Sequence, residues 1–134
     1  MFDDIRKNEK IKILVNKSNE NLLTMGYTDH GPRHVGYVSK IAGEILEKLD
    51  YPRRRVELAK IAGWPHDVGN MINRSMHSLT GAIMLFDELQ LVKMPFEDLC
   101  DICTAIGSHD EDTGQPVSDI SAALIIADKV DAYK

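Results

Sequence analysis

The chain has 134 residues, 43% of them hydrophobic and 28% charged, with a formal net charge of −5. This is the composition of one soluble globular domain, long enough to bury its own core. The acidic balance argues against a broad nucleic-acid surface, and no apolar run approaches the roughly 18 residues that span a bilayer.

The start, "MFDDIRKNEK", is charged throughout and does not read as a secretory signal, so the expected location is cytoplasmic. Residues 3–23 carry Ile5, Ile11, Leu14, Val15, Leu22 and Leu23 among charges, which predicts one helix ending near Gly26. Residues 32–49 give the cleanest pattern. Val35, Val38, Ile41, Ala42, Ile45, Leu46 and Leu49 recur at steps of three and four, and Pro32 suits the first turn, where its missing N–H is not needed. A third helix is predicted from about Pro52, kinked or ended near residue 63, because Pro65 removes a donor and disfavours helix at Trp64.

Residues 76–89 predict a fourth helix. Residues 95–107 predict a fifth, with proline at its start and Glu97 and Asp98 in the first turn. Within it, Cys100 and Cys103 have a C-x2-C spacing but no second such pair, and they read as two small apolar residues on a buried face. Residues 118–134 predict a sixth helix, capped by Ser118 or Asp119. No stop signal closes it, which reads as a truncated C-terminus. No segment reads as a strand. Helices joined by short loops predict an all-α bundle of about six helices, a single domain over residues 1–134.

The ligand-type residues fall on separate predicted helices. In "GWPHDVGN", His66 and Asp67 stand together after an apolar run, and both are costly to bury unless bonded to something. His34 borders the apolar face of the second helix, His77 opens the fourth, His109 ends the fifth, and Asp128 lies beside the apolar face of the last. Each alone fits a core or capping role. Packed as a bundle, the six can point at one place, and such a cluster repels itself without cations. Mixed nitrogen and oxygen ligands suit iron, manganese, zinc or magnesium. His30, in "DHGPRH", reads as a surface or capping residue, with a third-metal or phosphate role as the alternative.

The order His34, His66-Asp67, Asp128 resembles the H…HD…D signature of the HD superfamily of metal-dependent phosphohydrolases, over about residues 28–131. "HVGYVSKIAGEIL" is similar to that family's first ligand helix, "HDVGN" to its "HDIGN", and "IADKVDA" to its final ligand segment. "HSLTGAIML" and "AIGSHDEDTGQPV" resemble the HD-GYP branch. Two departures stand out. Pro65 occupies a position that is usually aliphatic, and Asp110 replaces the second of two adjacent histidines. The GYP tripeptide is absent too, which argues against cyclic-dinucleotide hydrolysis. Short chains with this histidine set also resemble a branch that splits symmetrical dinucleoside tetraphosphates.

The resemblance implies that His34, His66, Asp67 and Asp128 hold a first divalent ion. It also implies that His77 and His109 complete a second position about 3.5–4 Å away, bridged by Asp67. Asp67→Ala is then expected to abolish metal binding and, by relieving carboxylate repulsion, to stabilise the metal-free chain. Asp110, Glu111 or Asp128 is the expected proton relay. Arg33, Arg74 and Lys129 are expected to meet phosphate oxygens, with Lys129 beside a ligand in the family's "ADK" pattern. The expected partner is a small phosphorylated or nucleotide substrate, without membrane contact, and a homodimer is compatible with this. The competing reading is a non-catalytic HD module that binds metal or nucleotide in a regulatory role.

Overall fold

The computed structural model describes residues 1–110 and 114–132. Among these there is no strand. There are seven α-helices: α1 (Phe2–Lys7), α2 (Glu9–Thr24), α3 (Pro32–Lys48), α4 (Arg53–Gly63), α5 (His77–Leu89), α6 (Phe96–Gly107) and α7 (Asp119–Ala132). A 3-10 turn over Val68–Met71 separates α4 from α5. The all-α expectation is met.

The predicted single N-terminal helix is corrected to two. Asn8 is extended, at φ −63° and ψ 120°, and its side chain accepts a 3.0 Å hydrogen bond from the Ile11 N–H. An asparagine that caps the next helix this way competes with continuing the first. At the far end α2 closes with Gly26 at φ 90°, a conformation that costs glycine little. There the Tyr27 N–H reaches the Leu22 carbonyl and the Gly26 N–H the Leu23 carbonyl, a Schellman ending.

The helix α3 is the hub, packed on α4 and α7, while α5 pairs with α6 and the 3-10 turn sits between α2 and α5. Ile5, Ile11 and Val15 from the first two helices join the same buried cluster as Val38, Ile61, Ile102 and Leu124. Burying a side chain of this size contributes roughly 1.5–3 kcal/mol. Arg55 ties three helices together. Its Nη1 donates to Asp101 on α6 at 2.8 Å, and its Nε and Nη2 donate to Asp119 on α7 at 3.0 and 2.6 Å. Asp119 is therefore engaged elsewhere, and Ser118 caps α7, its hydroxyl accepting from the Ser121 N–H at 3.0 Å.

The two cysteines are free and half-buried, a correction to the fully buried face expected of them. The α6 face that points inward carries Leu99, Ile102 and Ile106. Cys100 and Cys103 lie at its edge, lining a shallow groove with Phe86. Burial pushes the Cys103 thiol up to about 11, so it is no ready thiolate.

Candidate metal centre

Four helices and the α4–α5 connection deliver the ligand-type side chains to one place. As Pro65 predicts, α4 ends at Gly63, but Trp64 keeps helical dihedrals (φ −61°, ψ −49°), so the proline ends the helix through its missing donor and not by excluding helix at Trp64. The chain then turns so that the Val68 N–H bonds the Pro65 carbonyl, and His66 and Asp67 sit buried at the turn. The 3-10 turn that follows presses on the first residues of α5. A Cβ built on Gly69 would stand 1.8 Å from the His77 carbonyl oxygen, so only glycine fits there. This close approach brings His77 beside Asp67.

The imidazoles share one orientation. The Nδ1–H of His66 donates to the Gly63 carbonyl at 2.6 Å, and that of His109 to the Ile106 carbonyl at 2.6 Å. His77 Nδ1 lies 3.2 Å from the Arg74 carbonyl, and His34 Nδ1 lies 2.5 Å from Asp131 Oδ2. A carbonyl only accepts, so each ring paired with one carries a proton on Nδ1 and turns Nε2 inward, the nitrogen that offers a lone pair whenever the ring is neutral.

Those Nε2 atoms converge on Asp67. Its Oδ2 lies 3.4 Å from His34 Nε2 and 3.2 Å from His66 Nε2. Its Oδ1 lies 3.5 Å from both His77 Nε2 and His109 Nε2. Asp128 Oδ1 completes the first group, 3.3 Å from His34 Nε2 and 3.4 Å from His66 Nε2. Despite this crowding, the Nε2 atoms of His34, His66 and His109 are buried without a hydrogen-bond partner. Buried polar atoms are seldom left so, and three together are the mark of donors arranged around something else.

Electrostatics fit the same reading. Burial opposes protonation of His34, but Asp128, Asp67 and Asp131 outweigh it and push its pKa up to about 9. His66 is likewise held well above its usual value by Asp67 and Asp128 against its own burial. Burial raises the Asp67 carboxyl, yet His66, His109 and His34 hold it well below the carboxylate range. The pocket thus favours positive charge among its carboxylates, held here as protons on His34 and His66 that a bound divalent ion would displace. Ligand atoms of His34, His66 and Asp128 lie within 4.8 Å of one another, as do those of His66, Asp67 and His109 and those of His30, His34 and Asp67. The residues present therefore suit a metal.

The mouth is a cavity of about 140 Å³ lined by His30, Asp67, Arg74, His77, His109, Asp110 and Asp128. Arg74 and Asp110 both reach it, and Asp110 Oδ2 lies 4.0 Å from His77 Nδ1. Arg33 and Lys129 are not part of its lining. Each is one residue from a ligand on a helix, so its side chain leaves the axis about 100° away. Arg33 turns instead to Asp131, at 3.3 Å, and to Asp29, at 3.5 Å, while Lys129 is exposed on α7. Glu111 lies outside the described residues.

One residue was not singled out by the pattern of the sequence. Asp131 orients His34 from one turn beyond Asp128, and its three-residue spacing from a ligand is the signal that could have found it. His30, read as surface or capping with a third-metal or phosphate role as the alternative, lines the cavity with its ring centroid 4.9 Å from that of His34.

Fold and site together define a helical domain built around a histidine–carboxylate cluster that could hold a metal ion. The chain belongs to the HD domain family, a superfamily of metal-dependent phosphohydrolases, whose family model matches residues 33–134. It is also similar to the uncharacterized protein MJ1020 of Methanocaldococcus jannaschii, 25% identical over 157 residues. That alignment covers all of this chain and 60% of the relative, so the chain spans about 60% of the length of the curated relative it matches. No solved structure matches the chain. No helix among the described residues is long and apolar enough to cross a membrane.

Proposed function

We propose that the protein is a phosphohydrolase using two divalent ions to cleave a phosphate ester or anhydride of a small nucleotide-like substrate. One observation carries the reading: the two oxygens of Asp67 face different histidine pairs, His34 with His66 and His77 with His109. In this reading His34, His66, Asp67 and Asp128 hold the first ion, and Asp67, His77 and His109 the second. When bound, such ions bring the pKa of water towards neutrality and offset the charge of a phosphoryl group.

The chain's own residues do the rest. The carbonyls of Gly63, Ile106 and Arg74, with Asp131, keep the four imidazoles from rotating. Arg74 brings a guanidinium to the cavity rim, where it meets phosphate oxygens. Asp110, at the same rim, takes a proton from the attacking water and passes it to the departing oxygen as the new P–O bond forms and the old one breaks. Arg33 and Lys129 keep no substrate role in this scheme, since neither lines the cavity.

The test is elemental analysis of the purified chain followed by phosphate release from a panel of esters with manganese, iron, zinc or magnesium. Two ions per chain and turnover are expected. Metal uptake with no turnover on any ester would instead favour the non-catalytic HD module.

A further inference from the structure

The metal cavity is too small for a whole substrate. At about 140 Å³ it falls below the roughly 300 Å³ at which small-molecule pockets begin. It has room for a phosphate, and the rest of a substrate must continue elsewhere. A second cavity of about 460 Å³ adjoins it and shares the walls Arg74, His77 and Asp110. The other walls are Tyr27, Ser75, Met76 and Leu79.

The character of the lining changes across that junction. The shared wall is charged, as suits a phosphate. The far wall presents an aromatic ring, a thioether and an isobutyl group, and Tyr27, Met76 and Leu79 are 43%, 65% and 48% exposed. The Schellman ending of α2 carries Tyr27 to this position. Met76 sits at φ 58°, unusual for a residue with a side chain, immediately before His77. These neighbours line the groove side by side while His77 also lines the metal cavity. Arg74 spans the junction, its guanidinium carbon 4.9 Å from the Tyr27 ring centroid and its Nη1 3.4 Å from Asn70 Oδ1. Tyr27 precedes residue 33, where the family match begins, so the segment before the family core contributes the aromatic ring of a wall whose Ser75, Met76 and Leu79 lie within it.

We infer that the groove of Tyr27, Met76 and Leu79 receives a planar aromatic ring, a nucleobase, on the leaving side of the phosphate. The inference rests on the hydrolase reading for the place of the phosphate. A base has a flat apolar face to stack on Tyr27 and Met76, which a bare sugar lacks. Arg74 then serves both parts of one substrate, as a charge to the phosphate and as the ring-stacked edge of the groove. Specificity for the leaving group is thus set by residues outside the metal-binding core.

Adenosine and ribose carry no phosphate to lose, so calorimetric titration of each into the manganese-loaded full chain reads the groove without turnover. Adenosine is expected to bind at least about tenfold more tightly, as one stacked base allows. Tyr27→Ala should erase most of that ratio and Tyr27→Phe should keep it. Leu79→Ala, on the opposite helix, should reduce it as well. Equal binding of the two, no adenosine binding, or a ratio indifferent to Tyr27→Ala would overturn the inference. Phosphate release from AMP and from ribose 5-phosphate is followed alongside. Adenosine binding without phosphate release from these two, or from any other nucleotide ester or anhydride with any of the four metals, defeats the hydrolase reading and leaves the groove standing. Equal release from both, with no adenosine preference, defeats the groove and leaves the hydrolase.

Discussion

His34 is held from both sides: its Nδ1 lies 2.5 Å from Asp131 Oδ2, and its Nε2 lies 3.4 Å from Asp67 and 3.3 Å from Asp128. Asp131 touches no other proposed ligand, so it acts on the site through His34, by fixing the ring. Removing such a partner typically costs about 10–100-fold in metal affinity. Asp131→Ala is therefore expected to weaken metal binding by that range, and Asp131→Asn, which keeps an acceptor, by less. Titration against a competing chelator checks both. Unchanged affinity in Asp131→Ala would remove Asp131 from the site.

Asp67→Ala should abolish metal uptake and hydrolysis, since one side chain serves both histidine pairs. For the metal-free chain the surroundings of the carboxylate favour a loss of stability over the gain expected from relief of carboxylate repulsion. Four imidazole nitrogens surround the carboxylate at 3.2 to 3.5 Å, and the positive charge favoured on His66 and His34 makes it a counter-charge that outweighs its repulsion with Asp128. Its loss should lower stability by about 1–3 kcal/mol, as for other buried groups that lose a charged partner. Urea unfolding in the presence of a chelator measures this. A more stable variant would refute the counter-charge account.

His77→Ala and His109→Ala should each lower metal content from two ions towards one per chain. Both rings lie 3.5 Å from Asp67 Oδ1, whereas His34 and His66 face Oδ2. If the rings only touch substrate, metal content stays the same and KM rises. Elemental analysis with steady-state kinetics on the same samples separates these outcomes.

Arg55 and Asp119 give a pH dependence away from the metal centre. The hydrogen bond from Arg55 is the main cause that holds the Asp119 carboxyl below its usual range, against partial burial. A carboxyl lowered in the folded state binds its proton more readily when unfolded. The pair's contribution is therefore present above the unfolded value of about 4 and is lost as pH falls towards the folded one. Asp119→Asn should cost about 1–2 kcal/mol at pH 7 and flatten the loss of stability below pH 5. Denaturant midpoints for both proteins at pH 7, 5 and 3 are the check. Parallel curves would show that Asp119 carries no such linkage.

The helices were legible because their periodicity is local. Val35, Val38, Ala42 and Leu46 repeat at helical steps, and all four are buried on α3 as that pattern requires. Pro65 marked the end of α4 for an equally local reason, a missing donor. The break at Asn8 escaped, because whether an asparagine caps or merely rides a helix depends on a single side-chain hydrogen bond. The candidate ligands were named from residue types and from a resemblance in their order along the chain. Their meeting is a different matter: His34 and Asp128 are 94 positions apart, and only the packing of α3 on α7 sets their 3.3 Å separation. Arg33 and Lys129 were read as substrate contacts from adjacency in sequence, yet adjacency on a helix turns a side chain away from its neighbour's target. Asp131 and Tyr27 acquired their places only in three dimensions. The sequence by itself determined the elements and the chemistry available, because propensity and periodicity act over a few residues. The tertiary structure decided which groups share the cavity, because burial and direction come from contacts between segments distant in the chain.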